Sequence, residues 1–500
     1  MEREMRLFVD SLKHNLTAED IVNLEACVGC GNCGGACAWY LATGDERLHP
    51  MYRHRFIRKL YTRYLTLEGR LMGALGLVET PGVEDLRENM EYFWKCTACG
   101  RCTLACPLGL SIRRVVRLAR AAYCHSRLAE ENPTLKAIIE NTRRLRHSFG
   151  LSREQVFAMV GLFFYADGAE VPLDVRGAEY LFVCPAFCNT RVPDYGIKLP
   201  KILNAAGVSY TISTRVLDTG TDVDPIAAHP ELSREMLLEW EAEAERLEAE
   251  KVLVVECGCD VRTLYVEATE TLGRPFKFPI VSVDSLMLEL IKSGKLPVEK
   301  LEQRITLHDP CYVSRLSGMD EMLRELLASV AENFVEMYPN REYNYCCNAG
   351  AGPLRLPENT ELRRKVSKIK AEQIKNTGAE LVTSPCAVCA VGIEDICRFY
   401  GLSQKRMSFM LFEVVYEAML KALRERGEVE RMLTPAELRG RDEAFLAEHS
   451  ISGMFGQLKR SPEFPKLFTW LEGHEIVRRF FSDNPHTLRK LEELRAEVGG

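Results

Sequence analysis

The chain has 500 residues, enough for roughly two to four domains, and 46% of them are apolar while 27% are charged. These fractions are ordinary for a globular protein, and a formal net charge of −6 gives no general affinity for nucleic acids. The first residues, MEREMRLFVD, lack the apolar core of a secretory signal, and no apolar stretch is long enough to cross a bilayer. We therefore expect a cytoplasmic protein that reaches a membrane only through a partner subunit.

Nineteen cysteines are the unusual feature of the composition. Disulfide frameworks belong mostly to short secreted chains, whereas most of these cysteines fall in tight clusters in a long chain. Metal ligation by thiolates is therefore the better interpretation.

Two four-cysteine runs stand in the N-terminal third. CVGCGNCGGAC (27–37) and CTACGRCTLACP (96–107) share the spacing C-x2-C-x2-C-x3-C. Zinc usually takes two C-x2-C pairs, whereas this doubled run is typical of two cubane [4Fe–4S] clusters in which the fourth cysteine of each run ligates the other cluster. The spacing predicts a first cubane site at Cys27, Cys30, Cys33 and Cys106, and a second cubane site at Cys96, Cys99, Cys102 and Cys37.

A long insertion, residues 38–95, separates the runs and is rich in helix-forming residues. It contains the basic stretch RHRFIRKLYTR (53–63), and RRVVRLAR (113–120) follows the second run. Both stretches favour solvated helix faces over docking surfaces. We expect a helical ferredoxin-like domain over residues 1–135, followed by a helical linker over 136–177.

Short β-type runs then alternate with helical patterns, which is typical of α/β units with largely parallel sheets. In four of the runs a cysteine lies at or just beyond the C-terminal end of the predicted strand, where open α/β sheets place their ligands. The runs are YLFVCP (180–185), VLVVECG (252–258), RITLHDPC (304–311), NFVEMYP (333–339) and ELVTSPC (380–386).

An internal repeat relates two parts of this region, because Cys184 and Cys257 are 73 positions apart and Cys311 and Cys386 are 75 apart. The second copy contains an adjacent cysteine pair, in YNYCCNAGAG (343–352), and reads C-x34-CC-x38-C-x2-C. Its thiols should converge on one five-cysteine site, formed by Cys311, Cys346, Cys347, Cys386 and Cys389. We predict a degenerate module at 178–300, a complete module at 301–424 and a helical extension at 425–500.

Other cysteines allow more than one interpretation. Those of the degenerate module are remnants or packing residues, a redox-active pair, or ligands of a further cluster; they are Cys184, Cys188, Cys257 and Cys259. Cys124 and Cys397 stand alone in helical patterns and are expected to be buried. In the extension, residues 461–481 predict one amphipathic helix whose aromatic residues either dock a partner or cover the core.

Together these patterns resemble the D-type subunits of heterodisulfide reductase, the HdrD-like family, in which a two-cluster ferredoxin domain is fused to cysteine-rich CCG modules. HDPC (308–311), PNREYNYCC (339–347) and VVECG (254–258) are most similar to its DsrK-like members, iron–sulfur subunits of membrane complexes in dissimilatory sulfur metabolism. The resemblance implies that the five-cysteine site holds a noncubane [4Fe–4S] cluster where a disulfide is cleaved in single-electron steps. One departure is that Asn348 and Ala349 follow the cysteine pair, where the family usually has glycine.

The resemblance implies an electron-transferring disulfide oxidoreductase within a hetero-oligomeric complex. Its partner is a membrane haem or quinone subunit or a flavin-containing subunit, and its substrate is a disulfide, a trisulfide or a thiol, carried in the DsrK-like case by a small protein with a cysteine-bearing tail. Two alternatives stay open: a subunit that passes electrons from a flavin dehydrogenase to quinone, and a non-catalytic wiring subunit. No G-x-G-x-x-G fingerprint follows a strand, so we predict no bound flavin or nicotinamide.

Three further residues stand near the predicted clusters. His308 either supplies a proton to a leaving thiolate or fills a turn with its ring bonded to local backbone. Arg315 and Arg341 either contact an acidic substrate or are solvated at the surface.

Overall fold

The computed structural model of the protein describes residues 2–183, 190, 194–220, 223–255, 257–482 and 485–499. Helices dominate the described residues, and two small parallel sheets lie between residues 180 and 410. Cys184 and Cys188 lie outside the described residues, as do the side chains of Cys257 and Cys259. Within the described ranges, no helix combines the length and the apolar character needed to cross a membrane.

The N-terminal region is helical, as predicted, and its helices surround the two cysteine runs. Phe8, Phe93 and Tyr123 meet in its core, with ring centroids of Phe8 and Tyr123 4.9 Å apart. The helices, up to the start of the first sheet, are α1 Arg3–Asn15, α2 Ala18–Glu25, α3 Ala38–Thr43, α4 Pro50–Leu65, α5 Leu67–Ala74, α6 Val83–Trp94, α7 Arg101–Leu104, α8 Ile112–His125, α9 Pro133–Leu145 and α10 Arg153–Asp167.

The basic stretches of this region are less solvated than predicted. Arg53 of α4 is 2% exposed, and its guanidinium donates to Tyr92 O at 2.6 Å and to Leu48 O at 3.0 Å. Arg120 of α8 is also 2% exposed. The prediction of solvated helix faces is therefore wrong at these two positions, because one guanidinium can satisfy several backbone carbonyls and so be held inside a core.

The first sheet has four parallel strands in the order β2–β1–β3–β4. The strands are β1 Tyr180–Val183, β2 Tyr210–Thr211, β3 Lys251–Val254 and β4 Ile280–Ser282. A π-helical segment, Cys257–Val266, follows β3. The α-helices of this part are α11 Asp194–Ala205, α12 Pro230–Arg246, α13 Ala268–Leu272 and α14 Val283–Lys292.

The second sheet has the same parallel arrangement, in the order β6–β5–β7–β8. Its strands are β5 Leu301–Leu307, β6 Ala331–Val335, β7 Leu381–Ser384 and β8 Ser408–Met410. Its helices are α15 Asp320–Val330, α16 Thr360–Val366, α17 Lys368–Thr377, α18 Ala387–Phe399 and α19 Leu411–Arg426.

The strands β5 and β7 end side by side, since Leu307 pairs with Thr383. The chain leaves β5 to form β6 on one side and returns to form β7 on the other. The carboxyl ends of β5 and β7 therefore flank the topological switch point of the sheet, the usual place for a ligand in an open parallel sheet.

The C-terminal extension is helical and packs on α10. Phe468 and Phe481 are buried in the core that the extension shares with α10, so these aromatic residues cover the core. The single helix predicted over 461–481 is divided at His474. The α-helices of the extension are α20 Glu443–His449, α21 Ile451–Lys459, α22 Phe464–Gly473, α23 Glu475–Ser482 and α24 Pro485–Gly499.

Candidate metal centres

The second cubane site surrounds a cavity. Cys96, Cys99 and Cys102 line this cavity together with Cys37 from the other run. Burial raises the pKa of Cys37 to about 11, with the thiols of Cys96 and Cys99 adding to the effect. Buried thiolates repel one another unless a positive centre lies between them. Four soft donors around one cavity therefore fit an iron–sulfur cluster held by both runs.

The first cubane site lies closer to the surface. Burial raises the pKa of Cys33, and the thiol of Cys27 and, more weakly, that of Cys106 raise it further. The fourth cysteine of the second run is therefore close to the first run. Cys30 is the exposed member of this set.

Both runs follow the same backbone path around their second cysteine. Gly31 and Gly100, which directly follow it, have φ values of 81° and 74°. Gly29 and Ala98, which directly precede it, have φ values of 73° and 51°. L-residues with a side chain rarely adopt these angles, which explains glycine at three of the four positions.

The five-cysteine site lies at the switch point between β5 and β7. Cys311 follows β5, and Cys386 caps helix α18 by accepting a hydrogen bond from Cys389 N at 3.3 Å. Cys347 Sγ lies 3.2 Å from Cys389 Sγ, and the thiol of Cys346 contacts those of Cys347 and Cys311. The structure thus brings the five predicted thiols into one connected group, and a set of soft sulfur donors fits an iron–sulfur cluster.

The five-cysteine site adjoins the second cubane site. Hydrogen bonds from the thiols of Cys311 and Cys346 hold the pKa of Cys99 well below its ordinary value. Cys346 also lines the cavity of the second cubane site. Cys99 and Cys346 therefore line one cavity, and the two sites adjoin there.

The residues at the two positions where glycine was expected are accommodated by the surrounding structure. Asn348 has a φ of 58°, a conformation that asparagine adopts more easily than most residues with a side chain. Ala349 is buried against α18, where a methyl group added at Gly392 would come within 2.5 Å of Ala349 Cβ. A glycine on the helix that carries Cys389 thus makes room for the alanine after the cysteine pair.

We expect Gly392→Ala to push the loop after the cysteine pair away from α18. Overpacking of this kind costs about 1–3 kcal/mol, so the free energy of unfolding in denaturant should fall by that amount, and less iron should be retained. Adding Ala349→Gly to the same chain should restore both values, because it removes the methyl group that clashes. A double variant no better than Gly392→Ala alone would contradict this packing argument.

Buried polar residues surround the cysteine pair. The ligand atoms of His308, Cys347 and Cys389 lie within 4.8 Å of one another. Asn344 Nδ2 donates to His308 Nδ1 at 3.2 Å, which leaves the proton of the neutral ring on Nε2. Burial lowers the pKa of His308 and favours this neutral form. The ring thus bonds a side chain beside the thiols and not the backbone of a turn.

A buried lysine completes this group. Lys370 Nζ donates to Asn344 Oδ1 at 2.7 Å, and burial lowers the pKa of Lys370 to about 8. Asn344 Nδ2 also donates to Asp309 O at 2.6 Å. Asn344 therefore holds the end of β5, the lysine and the segment before the cysteine pair together.

Two family models match the chain. Residues 23–110 match the 4Fe-4S dicluster domain, and residues 305–394 match the cysteine-rich domain called CCG. The first range contains both four-cysteine runs, and the second contains the whole five-cysteine site.

Two curated relatives extend the likeness over most of the chain. The Hdr-like menaquinol oxidoreductase iron–sulfur subunit of Archaeoglobus profundus is 27% identical over 444 residues, which cover 77% of this chain and 78% of the relative. The D-type subunit of the dihydromethanophenazine:CoB–CoM heterodisulfide reductase of Methanosarcina barkeri is 24% identical over 398 residues, which cover 76% and 91%. The two family models and these relatives together support an HdrD-like family for this chain. The resemblance inferred from cysteine spacing is thereby confirmed for the family.

A third relative of this HdrD-like chain has a different named activity. The EtfAB:quinone oxidoreductase of Syntrophomonas wolfei is 22% identical over 437 residues, which cover 80% of this chain and 59% of the relative. Oxidoreductases with different named substrates therefore share the sequence pattern.

The two arginines that the sequence left open are both bonded within the protein. Arg341 forms an ion pair with Glu321 and donates its backbone N–H to Asp309 Oδ2 at 2.7 Å. Arg315 donates to three backbone carbonyls, those of Cys99, Glu342 and Asn344. The Arg315 guanidinium is therefore bonded within the protein and not simply solvated at the surface, while contact with an acidic substrate stays a prediction for both arginines.

Sequence reasoning missed Asn344 and Lys370 in this HdrD-like chain. Asn344 stands two residues before the cysteine pair, a position that could have marked it as a supporting residue. Lys370 falls in the helical pattern ELRRKVSKIKAEQIKN (361–376), where nothing distinguishes a buried lysine from its solvated neighbours. Only the packing of α17 against the site reveals it.

Proposed function

We propose that this chain is the iron–sulfur subunit of a heterodisulfide reductase-like, DsrK-like complex. It carries electrons between a membrane haem or quinone subunit, or a flavin-containing subunit, and a disulfide or trisulfide reduced at the five-cysteine site, or it oxidises thiols in reverse. The cavity that Cys99 of the second cubane site shares with Cys346 of the five-cysteine site carries this proposal, because it joins the relay to the site of sulfur chemistry. Bound at these cysteines, two cubane clusters and one noncubane cluster would supply one-electron transfer and stepwise cleavage of the S–S bond.

The chain's own residues have distinct tasks in this scheme. Cys30 is exposed, so the first cubane site faces the partner subunit. The thiols of Cys346, Cys347, Cys386 and Cys389 are buried, which keeps water from the place where sulfur bonds change. His308, with the proton on Nε2 and its ring beside Cys347, is the candidate donor to a released thiolate.

The fold supports an internal duplication, because both sheets have the same parallel strand order. We place the modules at residues 178–300 and 301–424. The ferredoxin-like domain with its insertion (1–135), the linker (136–177) and the extension (425–500) complete the proposed organisation.

A second candidate function has support from the EtfAB:quinone oxidoreductase of S. wolfei. In this case the chain passes electrons from a flavin-bearing partner to quinone, and the five-cysteine site is a further relay. Reduction of a disulfide by the isolated chain with an artificial electron donor supports the first function, and its absence supports the second or a non-catalytic wiring role.

Iron, acid-labile sulfide and EPR of the anaerobically purified chain test the proposal. We expect about 12 iron atoms per chain, from three four-iron clusters, and a paramagnetic signal of the oxidised protein that changes when thiol is added. About 8 iron atoms with an EPR-silent oxidised state would contradict a catalytic cluster at the cysteine pair.

A further inference from the structure

Arg315 joins the backbone of two metal sites. It lies in the short π-helical segment Val313–Ser317 that follows the end of β5. Its guanidinium donates to Cys99 O at 3.0 Å, to Glu342 O at 2.6 Å and to Asn344 O. A planar side chain with five donors is suited to such a junction. One residue therefore links the second cubane site to the segment before the cysteine pair.

Two arginines of the N-terminal region make similar links, with their guanidinium groups donating to carbonyls of the segment that carries the cysteine pair. Arg101 of α7 donates to Tyr343 O at 3.1 Å. Arg120 of α8 donates to Ala351 O at 2.8 Å and to Cys96 O at 2.6 Å. The segment that carries the cysteine pair is thus held from both sides by arginines bonded to carbonyl oxygens.

These links place positive charge among the thiols. Within the part of the chain that the structure describes, no carboxylate forms an ion pair with Arg101 or Arg315. Arg315 stands four positions after Cys311, and its guanidinium donates to the carbonyl of Cys99, so its charge lies beside a predicted ligand of each site. Carbonyl groups solvate a guanidinium without cancelling its charge.

We propose that Arg315 is a positioning residue that raises the reduction potentials of the second cubane site and the five-cysteine site together, while Arg101 and Arg120 hold the same junction closed. The inference rests on the proposed function only in that clusters occupy both sites. Reduction adds negative charge to a site, and a fixed positive charge nearby stabilises the reduced state. Because one guanidinium adjoins ligands of both sites, it shifts both reduction potentials in the same direction. The difference between the two potentials, which drives electron transfer from one site to the other, therefore stays small.

Three variants of the full chain separate charge from shape. Arg315→Gln removes the charge, Arg315→Lys keeps the charge but cannot bond three carbonyls at once, and Arg341→Gln removes an arginine that is paired with a carboxylate. In redox titrations followed by EPR, Arg315→Gln should lower the equilibrium constant for one-electron reduction of each site about tenfold. This change lowers each reduction potential by about 59 mV. Arg315→Lys should leave both reduction potentials close to their wild-type values, and Arg341→Gln should change the potential of neither site.

Hydrogen exchange supplies a readout that does not depend on activity. Residues 341–351 should exchange faster in Arg315→Lys and in Arg315→Gln than in the wild type, because neither side chain can bond the carbonyls of Cys99, Glu342 and Asn344 together as arginine does. Iron content is measured first for each variant. If Arg315→Gln loses iron, the test uses Arg315→Lys, which retains the charge. Wild-type potentials in that variant support the proposal. Potentials about 59 mV lower, a tenfold smaller equilibrium constant, overturn its electrostatic part.

The outcome that overturns the inference differs from the one that overturns the proposed function. An Arg315→Gln variant that retains its iron and has wild-type potentials at both sites would refute the role of Arg315, whatever the chain's substrate. A wild-type chain with about 8 iron atoms would instead refute the third cluster, and the titration would then test Arg315 on the second cubane site alone.

Discussion

The variant Cys346→Ala/Cys347→Ala should lose about four of about twelve iron atoms per chain and all of its disulfide reductase activity. The pair supplies two of the five thiols, and both members are central in the site. Cys346 contacts Cys311 and Cys99, while Cys347 Sγ lies 3.2 Å from Cys389 Sγ. The two cubane sites should remain reducible, because neither cysteine of the pair belongs to them. Iron analysis and EPR of the reduced variant measure both effects.

Cys397→Ala is the matched control for this variant. Cys397 lies on α18 like Cys389, and it is 1% exposed, so that its loss also creates a small cavity. Burial raises the pKa of Cys397 to about 12, as expected for an inert packing thiol. We expect full iron content in this control. Iron loss equal to that of the pair variant would mean that general damage to the fold, and not ligand removal, explains the result.

The variants Cys37→Ala and Cys106→Ala should each lose about four iron atoms but should differ in what remains. Cys37 lines the cavity of the second cubane site, so its loss removes the cluster next to the five-cysteine site. The thiol of Cys106 adds to the raised pKa of Cys33, a member of the first cubane site. After chemical reduction, magnetic interaction between the second cubane and the five-cysteine site should persist in Cys106→Ala and vanish in Cys37→Ala.

This comparison tests the crossed ligand assignment directly. If each run bound its own cluster with all four of its cysteines, the two results would be exchanged, because Cys106 would then belong to the cluster beside Arg315. Cys124→Ala serves as the control, since Cys124 is buried in α8 with Sγ 2.8 Å from Ala227 O and belongs to neither site. It should keep its iron and the magnetic interaction.

Much of the region that contains the two sheets could be predicted from apolar runs. The runs 180–185, 252–258, 304–311, 333–339 and 380–386 contain or overlap the strands β1, β3, β5, β6 and β7. The remaining strands, β2, β4 and β8, have two or three residues each, which is too short for any alternating pattern to mark them. Their positions follow from pairing with strands distant in the chain, which no local pattern records.

The sequence by itself determined which cysteines have the spacing of iron–sulfur ligands. Ligand spacing is a local property, because three cysteines wrap one corner of a cluster only when two residues separate them and glycine permits the required angles, as at Gly31 and Gly100. The family and its iron–sulfur chemistry followed from that spacing.

Only the tertiary structure decided how the sites meet and what surrounds them. The contact of Cys99 with Cys311 and Cys346 joins segments more than 200 residues apart, and Arg120 and Arg315 looked like surface residues until the carbonyls that they bind were in place. The physical reason is that a guanidinium has the same local sequence pattern whether it meets water or backbone oxygen. Its environment is set by the distant segment that packs against it, and the local hydrophobic pattern does not predict that packing.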